Sequence, residues 1–478
     1  MSVSQHTAHV ESLGVLSTFR HELHTCFTAR GDALFELTDA LLCTEGPVRT
    51  LVDLCLAPEH RRGHGALYAG LNHGRIDTVG LRWSLAALPL PRTAHGRLVL
   101  AVDVSPWLRP DAATSPQRSF CHTYGRGADQ HVMVPGWPYS VVAALESGPT
   151  SWTAVLDAVR LEPDADVAAV TARQLGELIQ RLIQAGHHSP GDADIMVVAD
   201  AGYDLPRLAH LLADLPVQIL GRMRSDRVLY RPAPERVAGT WGRPPRHGAG
   251  FAFAESSTWA ESDQATSTHT DRYGAVTAQA WDRLHPLLTR RCAWLGHTEP
   301  LPIIEGTVIR LQVERLPSGG VNKPVWLWTS ATGVTGAEVD RCWQMFLRRF
   351  DIEHTFRLFK QVLGWCAPKL RSPEAADRWS WLVIAAYTQL RLARAMAADL
   401  RRPWERAVTP QRRTPARVRR GFRYLRAKVA SPACAPKPCR PGPGRPPGTR
   451  NKHRAPVQPV GKQDKTPTTG EGRKKQAR

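Results

Sequence analysis

Long apolar runs are missing from this sequence of 478 residues. No segment reaches the roughly 18 consecutive apolar residues that a membrane-spanning helix needs. The best candidate, 379–390, is short and better fits a buried helix. The first residues, MSVSQHTAHVESLG, also lack the basic and then apolar pattern of a secretion signal. We therefore expect an intracellular protein that makes no contact with a membrane.

Paired cysteines are missing too. The nine cysteines are odd in number and scattered, and none forms a Cys-x-x-Cys pair. Neither a disulfide framework nor a zinc ribbon is therefore indicated. The proportions of hydrophobic (42%) and charged (22%) residues are instead typical of a globular protein. The length predicts roughly two to four domains with an ample core.

Lysine is scarce, because only 10 of the 63 basic residues are lysines. The net charge of +20 is also unevenly distributed. Residues 401–478 contain 23 Lys and Arg against 3 Asp and Glu, whereas the 40 basic and 40 acidic residues before them cancel. A basic block of this kind usually binds nucleic acid or remains solvated. We favour nucleic-acid binding.

The hydrophobic pattern changes several times along the chain. Apolar residues at three- and four-residue spacings predict helices first, and buried strands alternating with helices then predict a mixed α/β sheet. A segment rich in Pro, Gly, Arg, Thr and Trp follows before helices return. The predicted divisions are 1–92 (helical), 95–230 (first part of the α/β core), 231–330 (β-rich insertion), 331–400 (core helices) and 401–478 (basic Pro/Gly-rich tail, largely disordered).

Two local segments have specific predictions. Residues 336–364 are predicted to form one continuous helix, and the chain is predicted to be disordered from about 431. The turn that contains Arg61 and Arg62 has two equally supported interpretations. It either contacts phosphate or is a solvated loop.

Two aspartates stand out by their position in apolar strands. Asp103 interrupts the run LVLAVDVS, and Asp200 ends the run IMVVAD. An ionised carboxylate at such a position is costly to bury, so it is expected at the edge of the sheet, where it can hold a cation or accept a hydrogen bond. Either aspartate alone could equally be a strand-end residue that caps a turn.

A third carboxylate, Glu353, lies on a later basic helix. Phe346, Arg349, Glu353 and Lys360 are spaced by close to whole helical turns, so we expect them to project from one face. Three converging carboxylates can hold two divalent cations for phosphoryl transfer, and Mg²⁺ suits oxygen ligands. The neighbouring basic side chains would then contact phosphates.

The chain resembles the cut-and-paste DDE transposases of bacterial insertion sequences. One group of these enzymes has a Tyr-x2-Arg-x3-Glu-x6-Lys signature, which here is Phe346, Arg349, Glu353 and Lys360 with every spacing kept. The two family aspartates match Asp103 and Asp200. The resemblance covers about 95–395 and implies an RNase H-like core with a β-rich insertion. It departs at Phe346, where the hydroxyl of the family tyrosine is missing.

The resemblance implies how such an enzyme would act. Asp103, Asp200 and Glu353 would be catalytic and would bind two Mg²⁺ ions, for which Mn²⁺ could substitute. Water would cleave a phosphodiester at the transposon end, and the freed 3′ hydroxyl would attack target DNA or first the opposite strand. Phe346, Arg349 and Lys360 would contact the DNA end, and residues 1–92 would bind it. The resemblance also implies double-stranded DNA as partner, a homodimer in the synaptic complex, and a cytoplasmic, nucleoid-associated protein.

Other candidate DNA contacts lie in the insertion and the tail. Trp241, Trp259 or Trp281 could stack on a flipped base, although a core role is the commoner one for any single tryptophan. Arg445, in a Gly-Arg-Pro sequence flanked by basic residues, partly resembles a minor-groove hook. Nonspecific phosphate binding is favoured for it. Two alternatives stay open for the protein: a catalytically silent transposase-derived DNA-binding protein, and an RNase H-like nuclease without strand transfer.

Overall fold

Helices form the N-terminal part of the chain. The computed structural model describes residues 3–124, 131–148, 150–236, 241–317, 319–320, 322–437 and 453–461. The first helices are α1 (Val3–Cys26), α2 (Gly31–Cys43), α3 (Leu51–Cys55), α4 (His64–His73) and α5 (Thr78–Ala86). Side-chain caps set some of their starts. Thr50 and Asp53 exchange hydrogen bonds in a capping box at α3, and the Asp77 carboxylate accepts two backbone N–H groups at α5.

The central part of the chain is a mixed α/β sheet. Its elements are β1 (Val99–Leu108), β2 (Ser119–Tyr124), β3 (His131–Leu145), β4 (Thr153–Arg160), α6 (Val167–Gln184), β5 (Ile195–Ala199), α7 (Leu205–Leu211) and β6 (Val217–Met223). Five strands lie in the order β4-β3-β1-β5-β6. The pairs β4/β3 and β3/β1 are antiparallel, whereas β1/β5 and β5/β6 are parallel. This is the RNase H-like arrangement that the resemblance implied, and the α/β class is confirmed.

The same sheet continues into the Trp-rich part of the chain. The later strands are β7 (Val228–Tyr230), β8 (Gly250–Ala252), β9 (Gln264–Thr270), β10 (Gly274–Leu284), β11 (Gly306–Val313) and β12 (Val325–Thr329). β12 pairs antiparallel with β6, and β11, β10 and β9 follow in that order. Within the described residues the sheet therefore has ten strands, while β7 and β8 form a separate pair.

The prediction of one continuous helix over 336–364 is wrong, because two helices lie there. The C-terminal helices are α8 (Gly336–Arg348), α9 (Phe350–Gln361), α10 (Pro373–Ala393) and α11 (Pro415–Arg426). At the break, the Arg349 N–H donates to the Phe346 carbonyl, and the Ile352 N–H donates to the Arg349 carbonyl. Both bonds span three residues rather than the four of a regular α-helix. Periodicity alone does not reveal such a break, because the apolar face continues through it.

The N-terminal helices share a hydrophobic core with the C-terminal ones. The core is continuous from Leu16 of α1 to Ala433, and it includes the buried face of α10. Inside it, the fully buried Arg20 guanidinium donates to the Asp39 carboxylate on α2 at 2.6 Å and to the Gln389 side chain on α10 at 2.6 Å. No helix among the described residues is both long and apolar enough to cross a membrane.

The prediction that 401–478 is largely disordered is wrong for its first half. Helix α11 buries Val418, Phe422 and Leu425, and its Arg417 pairs with Asp399. Farther on, Val460 forms a parallel bridge with Arg118 beside the start of β2. Hydrophobicity alone does not predict this packing, because the buried apolar residues are few and lie among many prolines and arginines. Residues 438–452, which include Arg445, lie outside the described residues.

Candidate active site

The register between β1 and β5 places two aspartates side by side. Ala101 is level with Val198 on the neighbouring parallel strand, so Asp103 and Asp200 follow two residues later on each strand. Side chains two residues apart point to the same face of a sheet. Ala101 and Val198 belong to the core beneath α8 and α9. Asp103 and Asp200 therefore continue on the face covered by these helices.

Arg349 brings the third carboxylate into the same group. Its guanidinium Nη1 lies 3.3 Å from Asp103 Oδ2, while Nη2 lies 3.6 Å from Asp200 Oδ2 and 3.3 Å from Glu353 Oε1. Arg349 is only 3% exposed. One buried cation thus contacts all three carboxylates that the sequence singled out. We call these four residues the carboxylate cluster.

The members of the carboxylate cluster differ in their contact with solvent. The side chains of Asp103, Asp200 and Glu353 are 21%, 40% and 50% exposed. Burial raises the pKa of Asp103 to about 6, and the Arg349 charge opposes this shift, whereas Asp200 and Glu353 add to it. The Asp103 carboxylate also accepts the Val104 N–H at 2.8 Å. The charge of Asp103 therefore depends on a neighbouring cation.

The donor set of the cluster suits a hard divalent cation. Its ligands would be carboxylate oxygens, which Mg²⁺ prefers, and the buried Asp200 Oδ1 has no hydrogen-bond partner in the described structure. In this arrangement, however, no three or more acidic, His or Cys side chains among the described residues are grouped closely enough to hold a metal ion. The Arg349 guanidinium occupies the position between the carboxylates. A metal would therefore replace this guanidinium as their shared cation.

Phe346 lies in the core rather than at a surface. It is buried, and the Arg349 guanidinium carbon is 5.9 Å from the centre of its ring. A ring in this place supports the arginine through a cation–π contact. The missing family hydroxyl does not change that contact, since it depends on the ring face.

Lys360 lies at the far end of α9. Its ammonium is 5.8 Å from the centre of the Trp365 ring. Burial lowers the pKa of Lys360, and among the groups that oppose the shift is Asp103. Lys360 is thus near enough to the carboxylate cluster for their charges to interact. Asp351 points elsewhere and pairs with Arg348.

The three candidate tryptophans have different surroundings. Trp259 and Trp281 belong to an aromatic group with Phe251 and Trp326, in which neighbouring ring centres are 5.1–6.2 Å apart. Trp281 is buried, and its indole N–H donates to the Ala260 carbonyl. Trp241 is instead 100% exposed. The core interpretation applies to Trp259 and Trp281, whereas Trp241 has a free ring.

Arg61 and Arg62 form ion pairs rather than a solvated loop, and their contact with phosphate stays a prediction. Arg61 pairs with Glu36 at 2.7 Å, and Arg62 pairs with Asp32 at 3.0 Å. Arg62 also donates to the Cys434 carbonyl at 2.7 Å. The turn is therefore a junction between α2 and the C-terminal segment.

Sequence reasoning missed two features of the site. The first is the contact of Arg349 with all three carboxylates, of which only the i, i+4 spacing of Arg349 and Glu353 is visible in the sequence. The second is Tyr203, whose hydroxyl is buried. Burial raises its pKa, and so does the nearby Asp103 charge. Its only sequence signal is a position three residues after Asp200.

The RNase H-like sheet and its carboxylates define a class of nucleic-acid-processing enzymes. A family model described as DDE superfamily endonuclease matches residues 22–287, more than half of the chain. The chain belongs to this family. Comparison with curated proteins gives no significant match. Family membership supports a nuclease or transposase that acts on DNA, and enzymes of this superfamily generally use divalent metals.

Proposed function

We propose that the protein is a DNA transposase of the bacterial insertion-sequence type. It would cleave DNA at transposon ends in a metal-dependent reaction and join the freed end to target DNA. The observation that carries this proposal is the contact of one buried cation, Arg349, with all three of Asp103, Asp200 and Glu353. These carboxylates come from β1, from the end of β5 and from α9, so only the folded chain brings them together.

Asp103, Asp200 and Glu353 are the residues that would hold Mg²⁺, with Mn²⁺ as a substitute and two ions as the full set. Bound divalent ions lower the pKa of water and stabilise charge on attacking and leaving oxygens. Asp103 lies deepest of the three, so it would fix the position of the site relative to the sheet. Glu353 is half exposed and lies on a helix, so it would adapt to the bound substrate.

Arg349 has two roles in this proposal. In the arrangement described above its guanidinium neutralises the carboxylates. The signature match assigns it to a DNA phosphate, which a guanidinium can bind through two parallel hydrogen bonds. Both roles are served if the guanidinium exchanges its carboxylate partners for a phosphate when metal and DNA bind. Lys360, held over Trp365, would contact a second phosphate near the cleaved end.

The test uses the full chain and a plasmid that carries the DNA flanking its coding region. The variants Asp103→Asn, Asp200→Asn and Glu353→Gln each remove one carboxylate charge with little change of shape. Each is expected to abolish Mg²⁺-dependent strand cleavage. The matched controls Asp214→Asn and Glu177→Gln alter exposed carboxylates on other elements and should cleave normally. Full cleavage by all three cluster variants would overturn the proposal.

The products separate the proposed function from its alternatives. Ends joined to target DNA, in a homodimeric complex with both ends, support a transposase. Cleaved ends without joining indicate an RNase H-like nuclease, and DNA binding without cleavage indicates a silent transposase-derived protein. Inverted repeats flanking the coding region would be the natural DNA substrate for the joining, cleavage and binding assays.

A further inference from the structure

A cavity of about 1170 Å³ opens at the start of β1. Residues from several separate segments line it: 93–99, 145–148, 150–151, 270–273, 338–354 and 411–414, together with Ala193 and Gln218. Asp103 lies four residues beyond Val99, so the cavity and the carboxylate cluster are roughly 13 Å apart along the strand at about 3.3 Å per residue. Both lie on the face of the sheet that α8 and α9 cover, with the cavity at the start of β1 and Asp103 farther along this strand.

The junction of α8 and α9 forms a wall between the two sites. Arg349 and Glu353 belong to the carboxylate cluster, whereas Arg348 and His354 line the cavity. Phe350 belongs to both sides, because it lines the cavity and the Arg349 guanidinium carbon is 4.8 Å from the centre of its ring. A ligand in the cavity would therefore lie directly behind the arginine that holds the carboxylates.

Most acidic side chains of the cavity are already engaged. Glu146 pairs at 2.8 Å with Arg394, and Asp351 pairs with Arg348. Glu338 accepts the Thr335 N–H at 2.8 Å at the start of α8 and lies 3.9 Å from Arg341. These carboxylates offer little charge to an incoming cation.

Four arginines of the cavity have no carboxylate partner within ion-pair distance in the described structure: Arg97, Arg272, Arg412 and Arg413. Arg97 donates to the Asp194 carbonyl at 2.6 Å, and Arg413 donates to the Ala397 carbonyl at 2.7 Å. Arg272 and Arg412 are exposed, and their guanidinium groups form no hydrogen bond among the described residues. Asp271 also lines the cavity, so six arginines face four carboxylates there, and this excess of guanidinium groups favours phosphate.

We propose that this cavity is a second DNA-binding site, which holds the phosphodiester chain of a DNA strand other than the one at the carboxylate cluster. Its volume exceeds the about 300–1,000 Å³ typical of small-molecule pockets, which suits a polymer segment. Phe350, 44% exposed, adds to the lining an aromatic ring of the kind on which bases stack. The inference rests on the proposed function only in taking DNA as the substrate.

The test compares two double variants of the full chain. Arg272→Ala with Arg412→Ala removes the two exposed cavity arginines. Arg173→Ala with Arg224→Ala removes two exposed arginines outside the cavity and is the charge-matched control. Binding of a labelled single-stranded oligonucleotide and of its duplex is measured by fluorescence anisotropy in EDTA over a range of salt concentrations. Thermal unfolding checks that both double variants fold as the parent does.

The cavity variant is expected to bind at least one DNA form about tenfold more weakly, because charged hydrogen bonds to phosphate are lost. The slope of the logarithm of its binding constant against the logarithm of the salt concentration should become less negative. The expected change is about 1.4 for single strands or about 1.8 for duplex, the amounts for two lost phosphate contacts. The form that responds identifies the strand. Equal affinities and salt slopes for the cavity and control variants would overturn the inference. Loss of cleavage in the carboxylate variants is measured separately, so either proposal can fail alone.

Discussion

The Arg349→Ala variant tests whether the Arg349 guanidinium occupies the place of a metal ion among the three carboxylates of the cluster. The substitution leaves Asp103, Asp200 and Glu353 in place and removes the only cation that contacts all three in the described structure. Without divalent metal, three neighbouring negative charges then repel one another. With metal, the ion no longer competes with the guanidinium. The variant should therefore be less stable in EDTA and bind metal more tightly.

The size of the effect follows from distance and exposure. A unit charge pair about 3.4 Å apart interacts by roughly 5 kcal/mol at an effective dielectric constant near 20. Asp200 and Glu353 are 40% and 50% exposed, so solvent screening reduces their share to about 1 kcal/mol or less each. Part of the interaction energy between Arg349 and Asp103 only offsets the cost of desolvating the Arg349 guanidinium, which is 3% exposed. We expect a net loss of about 2–4 kcal/mol in EDTA.

The assay is chemical unfolding in EDTA and in Mg²⁺, together with calorimetric titration of Mg²⁺ into the protein. A ligand at about 100 times its Kd stabilises the folded state by about 2.7 kcal/mol. The stability gap between Arg349→Ala and the parent should therefore narrow in Mg²⁺, and Mg²⁺ should bind the variant at least about tenfold more tightly.

Arg181→Ala is the matched control for this experiment. Arg181 also pairs with a buried carboxylate, that of Asp157, at 2.6 Å, but it lies away from the carboxylate cluster. Its loss should destabilise the fold equally in EDTA and in Mg²⁺. If Arg349→Ala behaves in the same way, and binds Mg²⁺ no more tightly than the parent, the guanidinium and the metal do not compete and the reasoning is refuted.

Three further predictions concern stability. Arg20→Met should lower the free energy of unfolding, measured in urea, by about 3 kcal/mol. This is the low end of the range for a broken buried pair, because Arg426 still pairs with Asp39 at 2.6 Å. An unchanged unfolding midpoint would contradict this prediction. Trp281→Ala should cost about 3–5 kcal/mol, whereas the exposed Trp241→Ala should change stability by no more than about 0.5 kcal/mol; equal costs would contradict the core assignment. Burial lowers the pKa of His285 below its usual 6.5. The neutral His285 side chain therefore contributes its full stabilisation above about pH 6.5. Below that pH the free energy of unfolding should fall by at most about 1.4 kcal/mol per pH unit. The His285→Gln variant should show a flatter stability profile below that pH, and a profile as steep as the parent's would contradict this.

The parts of the site that the sequence predicted depend on strong local signals. A carboxylate in an apolar strand is conspicuous because burying it is costly, so Asp103 and Asp200 could be found without any structure. Their alignment could not, since it depends on the parallel register of β1 and β5. The break at Arg349 was also hidden, because the apolar face of the helix continues across it and only hydrogen-bond geometry distinguishes the two halves.

The C-terminal segment shows a different reason for failure. Its composition predicts disorder, since arginine and proline dominate and periodic apolar residues are few. Helix α11 is nevertheless held by Val418, Phe422 and Leu425 and by arginines that find partners elsewhere, such as Arg419, which donates to the Leu41 carbonyl at 2.8 Å. Partners hundreds of residues away cannot be inferred from local composition. The basic excess of the tail is therefore partly structural and does not measure DNA affinity directly.

The two assignments of Arg349 together constrain how the enzyme would begin its reaction. The proposed function takes Arg349 to a DNA phosphate, whereas the structure shows it among three carboxylates. In the proposed mechanism the guanidinium leaves the carboxylates before it binds a phosphate, so metal entry and phosphate contact are coupled. Such coupling would keep the carboxylates neutralised until DNA arrives. The proposed exchange predicts both tighter metal binding and weaker cleavage of the DNA end for Arg349→Ala, and a variant that shows only one of these effects would contradict it.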